Sequence, residues 1–342
     1  MLVKYLGTVW NEDIEQCIPR ATFLDDGLFR FTQPNLLNDK GSEAKFEAIF
    51  DGYSRADISW AKKRYLSQST DLECPFSEEQ LISFFLEPTG VRYGDDMPWI
   101  VKEQTSFETM AEYDYDIFEK SVLAMNHKVI DLLSTQIGVF SLSKSDNSVY
   151  MWTHYASEGK GIAVVFKETH PFFKQYPVKD VSYNPEDRAT ISFRKGLFRI
   201  NGNPVENIQE VETQSGTQVH FLTKDIDWED LTTRLIYSKH ADPWCAEEEK
   251  RIVLPFEHCE VCRNSQQTAD TDTPVLKDII HSNVYLKKIP LDAIDAIIFG
   301  FGTQIEHKQA IIEKLSSTKE LAHIKKKVVK YNVFNRLEVV DI

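Results

Sequence analysis

Apolar and polar positions recur with two different periods along this chain, and the changes of period mark its organisation. Leu28-Phe29-Arg30-Phe31 is a short apolar run carrying one charge, which predicts a strand. The Pro34 to Asp39 stretch after it is rich in Pro and Asn and predicts a loop. From Ser42 to about Ser67, Phe46, Ile49, Phe50 and Tyr53 lie three or four apart, so a helix is expected there. Ser77-Glu78-Glu79-Gln80 has the form of a capping box before Leu81, Ile82, Phe84 and Phe85. Between Ser106 and about Ser134, Met110, Tyr113, Ile117, Val122, Met125, Val129 and Leu132 fall near one stripe of a longer helix.

After residue 135 the spacing changes. Strands are expected at Gly138–Ser143, Gly161–Phe166, Arg251–Phe256, Val284–Ile289, Ala296–Gly300 and Lys327–Tyr331, with shorter ones at Val178–Tyr183, Phe193–Ile200 and Val219–Leu222. Val149–Ala156 predicts a short helix or turn, and 305–318 a helix. The polar stretches 202–218 and 264–274 predict loops. The chain, 1–342, therefore reads as one domain. A helical insertion over 42–135 interrupts a β-rich core over 136–335, which the 28–31 strand joins. Strands without regular βαβ alternation predict an α+β fold with a mixed or antiparallel sheet core.

Composition narrows the function classes. With 39 basic against 53 acidic residues, the net charge is −14, a surface that repels nucleic acid at long range. General nucleic-acid binding is not expected. No window approaches the roughly 20 apolar residues that span a bilayer, so no membrane partner is expected. The five cysteines are an odd number, widely spread, and read as reduced thiols of a cytoplasmic protein. Cys259 and Cys262 have C-x-x-C spacing, but no second pair follows, and no metal site is expected. Gly-x-Gly-x-x-Gly and Walker signatures are absent, as are a Gly-x-Ser-x-Gly elbow and clustered metal ligands.

Three segments carry candidate chemistry. Trp244 to Pro255 places Glu247 and Glu249 two residues apart ahead of an apolar run, and in an extended segment both project from one face. Lys250 and Arg251 beside them allow a solvated turn as the plain alternative. Upstream stand Arg30 on its short strand and the Ser141-Leu142-Ser143 segment. Trp152, His154 and Tyr155 lie within four residues, enough to build an aromatic wall or to serve as a packing anchor.

These segments resemble an uncharacterised bacterial domain family. Its recurring pieces are a Tyr/Phe-Arg strand, Pro-x-x-Leu-Asn-Asp, Trp-x-x-Tyr-Ala and Trp-x-x-Glu-x-Glu-x-Arg. Here they stand as Phe29-Arg30, Pro34 to Asp39, Trp152 to Ala156 and Trp244 to Arg251, with Ile294–Gly300 as a final similar element. The likeness spans roughly 28–302. It departs after Asp39, where Lys40-Gly41-Ser42-Glu43 replaces the family's Pro-Phe-acid continuation. More distantly, Arg, Ser-x-Ser and Glu-x-Glu in this order are similar to ADP-ribosyltransferases, enzymes that cleave NAD and have split sheets. That resemblance implies NAD as co-substrate, no metal, and an activity of toxin or phage-defence type with a neutralising protein partner. It assigns a phosphate of NAD to Arg30 and the nicotinamide ribose to Ser141 within the Ser141/Ser143 pair. Glu249 would stabilise charge at the anomeric carbon, Glu247 would position the acceptor, and Trp152 or Tyr155 would stack on nicotinamide. The acceptor is left open. The alternative is a non-enzymatic nucleotide-binding or protein-interaction module in which the same Arg and Glu residues form a structural ion-pair network.

Overall fold

The computed structural model describes the chain except for residues 38–43, 214–215, 223–225 and 264–282. It has an α+β fold with mixed parallel and antiparallel sheets. The chain divides into two compact units, Met1–Asn38 with Leu133–Tyr183 and His240–Ile342, and Asp39–Leu132 with Asn184–Lys239.

The first unit is built on an eight-stranded sheet. Its order is Leu337–Asp341, Lys325–Tyr331, Ile294–Phe299, Ile162–Phe166, Leu2–Leu6, Ile137–Ser143, Glu249–Pro255 and Lys179–Asp180. Ile162–Phe166 is buried on both faces, as its unbroken apolar run requires of a central strand. One face packs Phe29, Phe31, Phe140, Phe166, Ile252 and Ile297 into the larger core. The other packs Val3, Tyr5, Trp152, Ala163 and Ile298 into a smaller one. Leu28–Phe31 belongs to a second, three-stranded sheet with Val284–Lys288 and Val261–Arg263.

The Ile137–Ser143 strand is where the two sheets meet. On one side it pairs along its whole length with Glu249–Pro255, from Ser143↔Glu249 to Ile137↔Pro255. On the other side its partner changes. Ser143 faces Val3 of the first strand, whereas Val139 exchanges two backbone hydrogen bonds, 2.9 and 2.8 Å, with Thr32. The strand is forked between those points, at Ser141. There the Lys4 ammonium donates to the Ser141 carbonyl at 2.9 Å. Stacking of Phe31 on Phe140, with ring centroids 5.0 Å apart, closes the core side of the fork.

Two glycine segments permit close backbone approach beside the smaller core. The Gly300 N–H donates to the Gly161 carbonyl and the Gly302 N–H to the Gly159 carbonyl. A Cβ on Gly300 would lie 2.0 Å from the Gly159 oxygen, so only glycine fits.

Several segments differ from what periodicity predicts. Glu47–Phe50 is a strand, paired in parallel with Thr190–Arg194, and the helix begins only at Arg55. The start signal is Ser54, whose side chain forms a capping box with Asp57. Phe193–Ile200 is two strands rather than one, because Lys195 and Gly196, both at positive φ, turn the chain between Thr190–Arg194 and Leu197–Ile200. Much of the 202–218 stretch is extended, with Asn207–Thr213 paired to Gly216–Leu222. The predicted 264–274 loop and the Asn38-Asp39 end of the Pro34 loop lie outside the described residues. Ser77 caps its helix as expected, and Met110–Gln136 and Ile305–Ser317 are helical. No described helix is long and apolar enough to cross a membrane.

Candidate functional site

Side chains alternate along strands, so the pairings above fix which residues share a face. Phe140 and Leu142 point into the larger core with Ile252 and Leu254. Ser141, Ser143, Glu249 and Arg251 therefore occupy the opposite face. Extending the Thr32↔Val139 register by two residues sets Arg30 opposite Ser141, again on the face away from Phe29 and Phe31. Two rows result across adjacent strands, Arg30–Ser141–Arg251 and Val3–Ser143–Glu249. From sheet spacings, the Arg30 and Glu249 backbones are about 12 Å apart.

Glu247 and Glu249 do not project from one extended segment. Trp244–Glu247 is a 3-10 turn, and Glu248 adopts a left-handed conformation with φ 45°. Alternation is broken between the two carboxylates, and each is held separately. Glu249 opens its strand, and its two oxygens accept from Arg251 Nε at 2.8 Å and Nη2 at 2.9 Å. This is the bidentate geometry that suits guanidinium to carboxylate, formed between residues i and i+2 on one strand face. Arg251 is 0% exposed and Glu249 5%, so the pair lies out of water. The backbone N–H of Glu249 donates to the Tyr183 hydroxyl at 3.0 Å. Glu247, equally buried, accepts a short hydrogen bond from the Tyr155 hydroxyl. The turn is pinned by Ser143, whose hydroxyl donates to the Glu247 carbonyl at 2.8 Å and accepts from the Ser145 N–H.

Two assignments need correction. Trp152 is fully buried in the smaller core, edge-on to Tyr5 at 5.1 Å, with its indole N–H donated to the Asp146 carbonyl. It offers no open ring face for stacking and is a packing anchor. The Ser143 hydroxyl is engaged by backbone on both sides, so it positions Glu247 rather than meeting a ligand. Ser141 differs. It is half-buried, and its hydroxyl has no partner among the described residues. The Tyr155 hydroxyl donates to Glu247, and its ring is half-buried against the smaller core.

Electrostatics around the fork are cationic. Burial lowers the Lys4 ammonium from 10.5 to about 8, with Glu249 opposing the shift and Arg30 adding to it. Phe140 lies under the same ammonium, 4.7 Å from ring centroid to Nζ. The Arg30 side chain reaches solvent, yet surrounding protein holds its guanidinium below its usual range, and Arg20 adds to the effect. Lys4, Arg20 and Tyr183 were not among the residues singled out by motif, and Arg251 was named only as the end of the Trp244 to Arg251 segment. Lys4 had a visible signal, a lone charge inside the apolar run Leu2–Leu6.

Elsewhere, the second unit has a cleft of about 440 Å3 lined by Tyr53, Arg55, Ile58, Glu78, Glu87 and Arg194 among others. Its charges are paired with one another, Arg194 with Glu87 and Arg55 with Glu78, and it holds none of the sequence-derived residues. The five cysteines are free thiols, and burial pushes Cys259 up to about 11. Among the described residues no group of three His, Cys, Asp or Glu side chains is placed to hold a metal ion. No protein-family model, curated protein or solved structure matches the chain.

Proposed function

We propose that this protein is an NAD-cleaving enzyme of the ADP-ribosyltransferase type. One observation carries the reading: Arg30, Ser141 and Glu249 come from three adjacent strands and share one sheet face beside the fork. Arg30, exposed and without a carboxylate partner among the described residues, has the planar fork that takes a phosphate. The free Ser141 hydroxyl stands next to it, within reach of a ribose. Arg251 takes one lone pair from each Glu249 oxygen and keeps the carboxylate fixed. In this reading the Glu249 carboxylate faces the nicotinamide ribose. A fixed negative charge there lowers the energy of the oxocarbenium-like state formed as nicotinamide leaves. Glu247, held by Tyr155, positions the acceptor nucleophile. The reading carries with it a cytoplasmic setting, a toxin or phage-defence role and a neutralising protein partner.

A second reading has a specific observation in its favour. Burial of the Glu249–Arg251 pair is what a structural ion-pair network requires, and a non-enzymatic nucleotide-binding module would retain it. Nicotinamide formation from NAD separates the two. The enzyme reading expects turnover by the wild type, with Arg30→Ala raising KM and Glu249→Gln lowering kcat. Binding of NAD with no nicotinamide formed supports the module instead.

A further inference from the structure

We propose that one end of the eight-stranded sheet is a two-fold interface whose partner is a second copy of this chain. It is the end at which Leu2–Leu6, Ile294–Phe299 and Lys325–Tyr331 finish, with Leu6, Ile162, Phe299 and Val328 on neighbouring strands. Two hairpins leave the sheet there. In the first, Thr8–Asn11 pairs with Gln16–Pro19, and in the second Lys325–Tyr331 pairs with Leu337–Asp341. Contacts join them into one surface. The Thr8 N–H donates to the Ser157 hydroxyl at 2.9 Å. A Cβ on nearby Gly159 would stand 2.5 Å from the Phe301 ring, and Phe301 meets Tyr331 with ring centroids 5.4 Å apart.

Apolar side chains crowd this surface. Trp10 on the first hairpin is 58% exposed, and Val333 and Phe334 in the turn of the second are 90% and 78% exposed, with Ile14, Phe301 and Tyr331 exposed beside them. Single exposed apolar residues are ordinary, but several on adjoining loops mark an area that a partner covers. Charge selects the partner. The first turn carries Glu12, Asp13 and Glu15, all exposed and with no cation within ion-pair distance among the described residues. At the second, Glu338 takes Lys330, whereas Arg336 is exposed and has no carboxylate within that distance among the described residues. Between the hairpins, Glu158 and Lys160 pair with each other. Three strand spacings, about 14 Å, separate the acidic hairpin from the basic one, a span that no ion pair closes. A foreign partner needs to match only one sign. A second copy presents both, so the acidic hairpin of each chain meets the basic hairpin of the other and the contact is made twice across the axis. The apolar side chains are then covered between two charged contacts, with Trp10 and Arg336 of the residue types that anchor interfaces.

Sedimentation equilibrium of the full chain, from submicromolar to high micromolar concentration, tests the interface with two charge-reversed variants. One carries Glu12→Lys, Asp13→Lys and Glu15→Lys together, and the other Arg336→Glu, all at exposed positions. The wild type should dimerise. Each variant alone should dimerise at least about tenfold more weakly, because both contacts across the axis then set like charges together. An equimolar mixture of the two should recover a dimer as strong as the wild type, since both contacts are complementary in the heterodimer. Recovery on mixing also excludes misfolding as the cause of the loss. Phe334→Ser, which leaves every charge in place, should weaken association as well. A wild type that stays monomeric throughout, or that forms species larger than a dimer, overturns the proposal. So does a loss that mixing fails to restore. A dimer that neither reversal weakens uses another face, such as the Leu337–Asp341 edge of the sheet, and overturns it too.

Discussion

Replacing Arg251 by Met asks how much the buried pair at the head of the Glu249 strand contributes. Arg251 donates two charge-assisted bonds to Glu249, at 2.8 and 2.9 Å, from a side chain with no exposed surface. Hydrogen bonds to charged groups contribute about 1.5–3 kcal/mol each, and breaking a buried ion pair costs roughly 3–5 kcal/mol. Arg251→Met should therefore destabilise the chain by about 3 kcal/mol or more. Glu249→Leu should cost a similar amount, because it leaves a guanidinium facing an apolar neighbour. The double variant should recover much of the loss, since two apolar residues of similar volume often replace a buried pair without penalty. Urea denaturation of all four proteins gives the coupling energy as the departure from additivity, provided the slopes agree. A coupling of about 2–3 kcal/mol is expected. A value below about 1 kcal/mol, or a double variant no more stable than the worse single one, would refute the view that these side chains depend on each other.

Other consequences follow from the same geometry. Lys4 is lowered from 10.5 to about 8 in the folded chain, so the unfolded chain binds more protons between those values. Stability should rise with pH across that window by up to roughly 3 kcal/mol, and urea midpoints at pH 7.5 and 10 should show this rise in the wild type but not in Lys4→Met. Trp152→Ala should cost about 3–5 kcal/mol in thermal denaturation, whereas Trp152→Phe should leave the KM for NAD unchanged, because the ring packs against protein only. Gly300→Ala should abolish soluble expression, since its Cβ would stand 2.0 Å from a backbone oxygen that cannot yield.

The strands that bring the site together were legible where burial leaves a plain pattern. Ile162–Phe166 is buried on both faces and reads as one apolar run, and Ile137–Ser143 alternates around Phe140 and Leu142. The helix start at Ser54 was misplaced because Phe46, Ile49 and Phe50 mimic helical spacing, while the Phe50 ring in fact meets Phe193 across a parallel pair. Helix period and strand period cannot be told apart over so few residues. The Glu247 turn had no signal at all, because a left-handed Glu248 is set by the surrounding packing and not by a Gly or Asn in the sequence. The fork at Ser141 depends on the change of partner from Val3 to Thr32, a long-range pairing that local spacing does not encode. Arg30, Ser141 and Glu249 could be picked out by type and order, but their common face needed the register.

Single-turnover cleavage, with enzyme in excess over NAD and nicotinamide followed by chromatography, tests the central claim most directly. It detects one bond broken per site, so a slow enzyme or a missing acceptor does not hide the chemistry. The account predicts complete release of nicotinamide by the wild type and release at least about 100-fold slower by Glu249→Gln, with NAD still bound and the fold retained. NAD bound by the wild type without any release, or release at equal rates from both proteins, would contradict it.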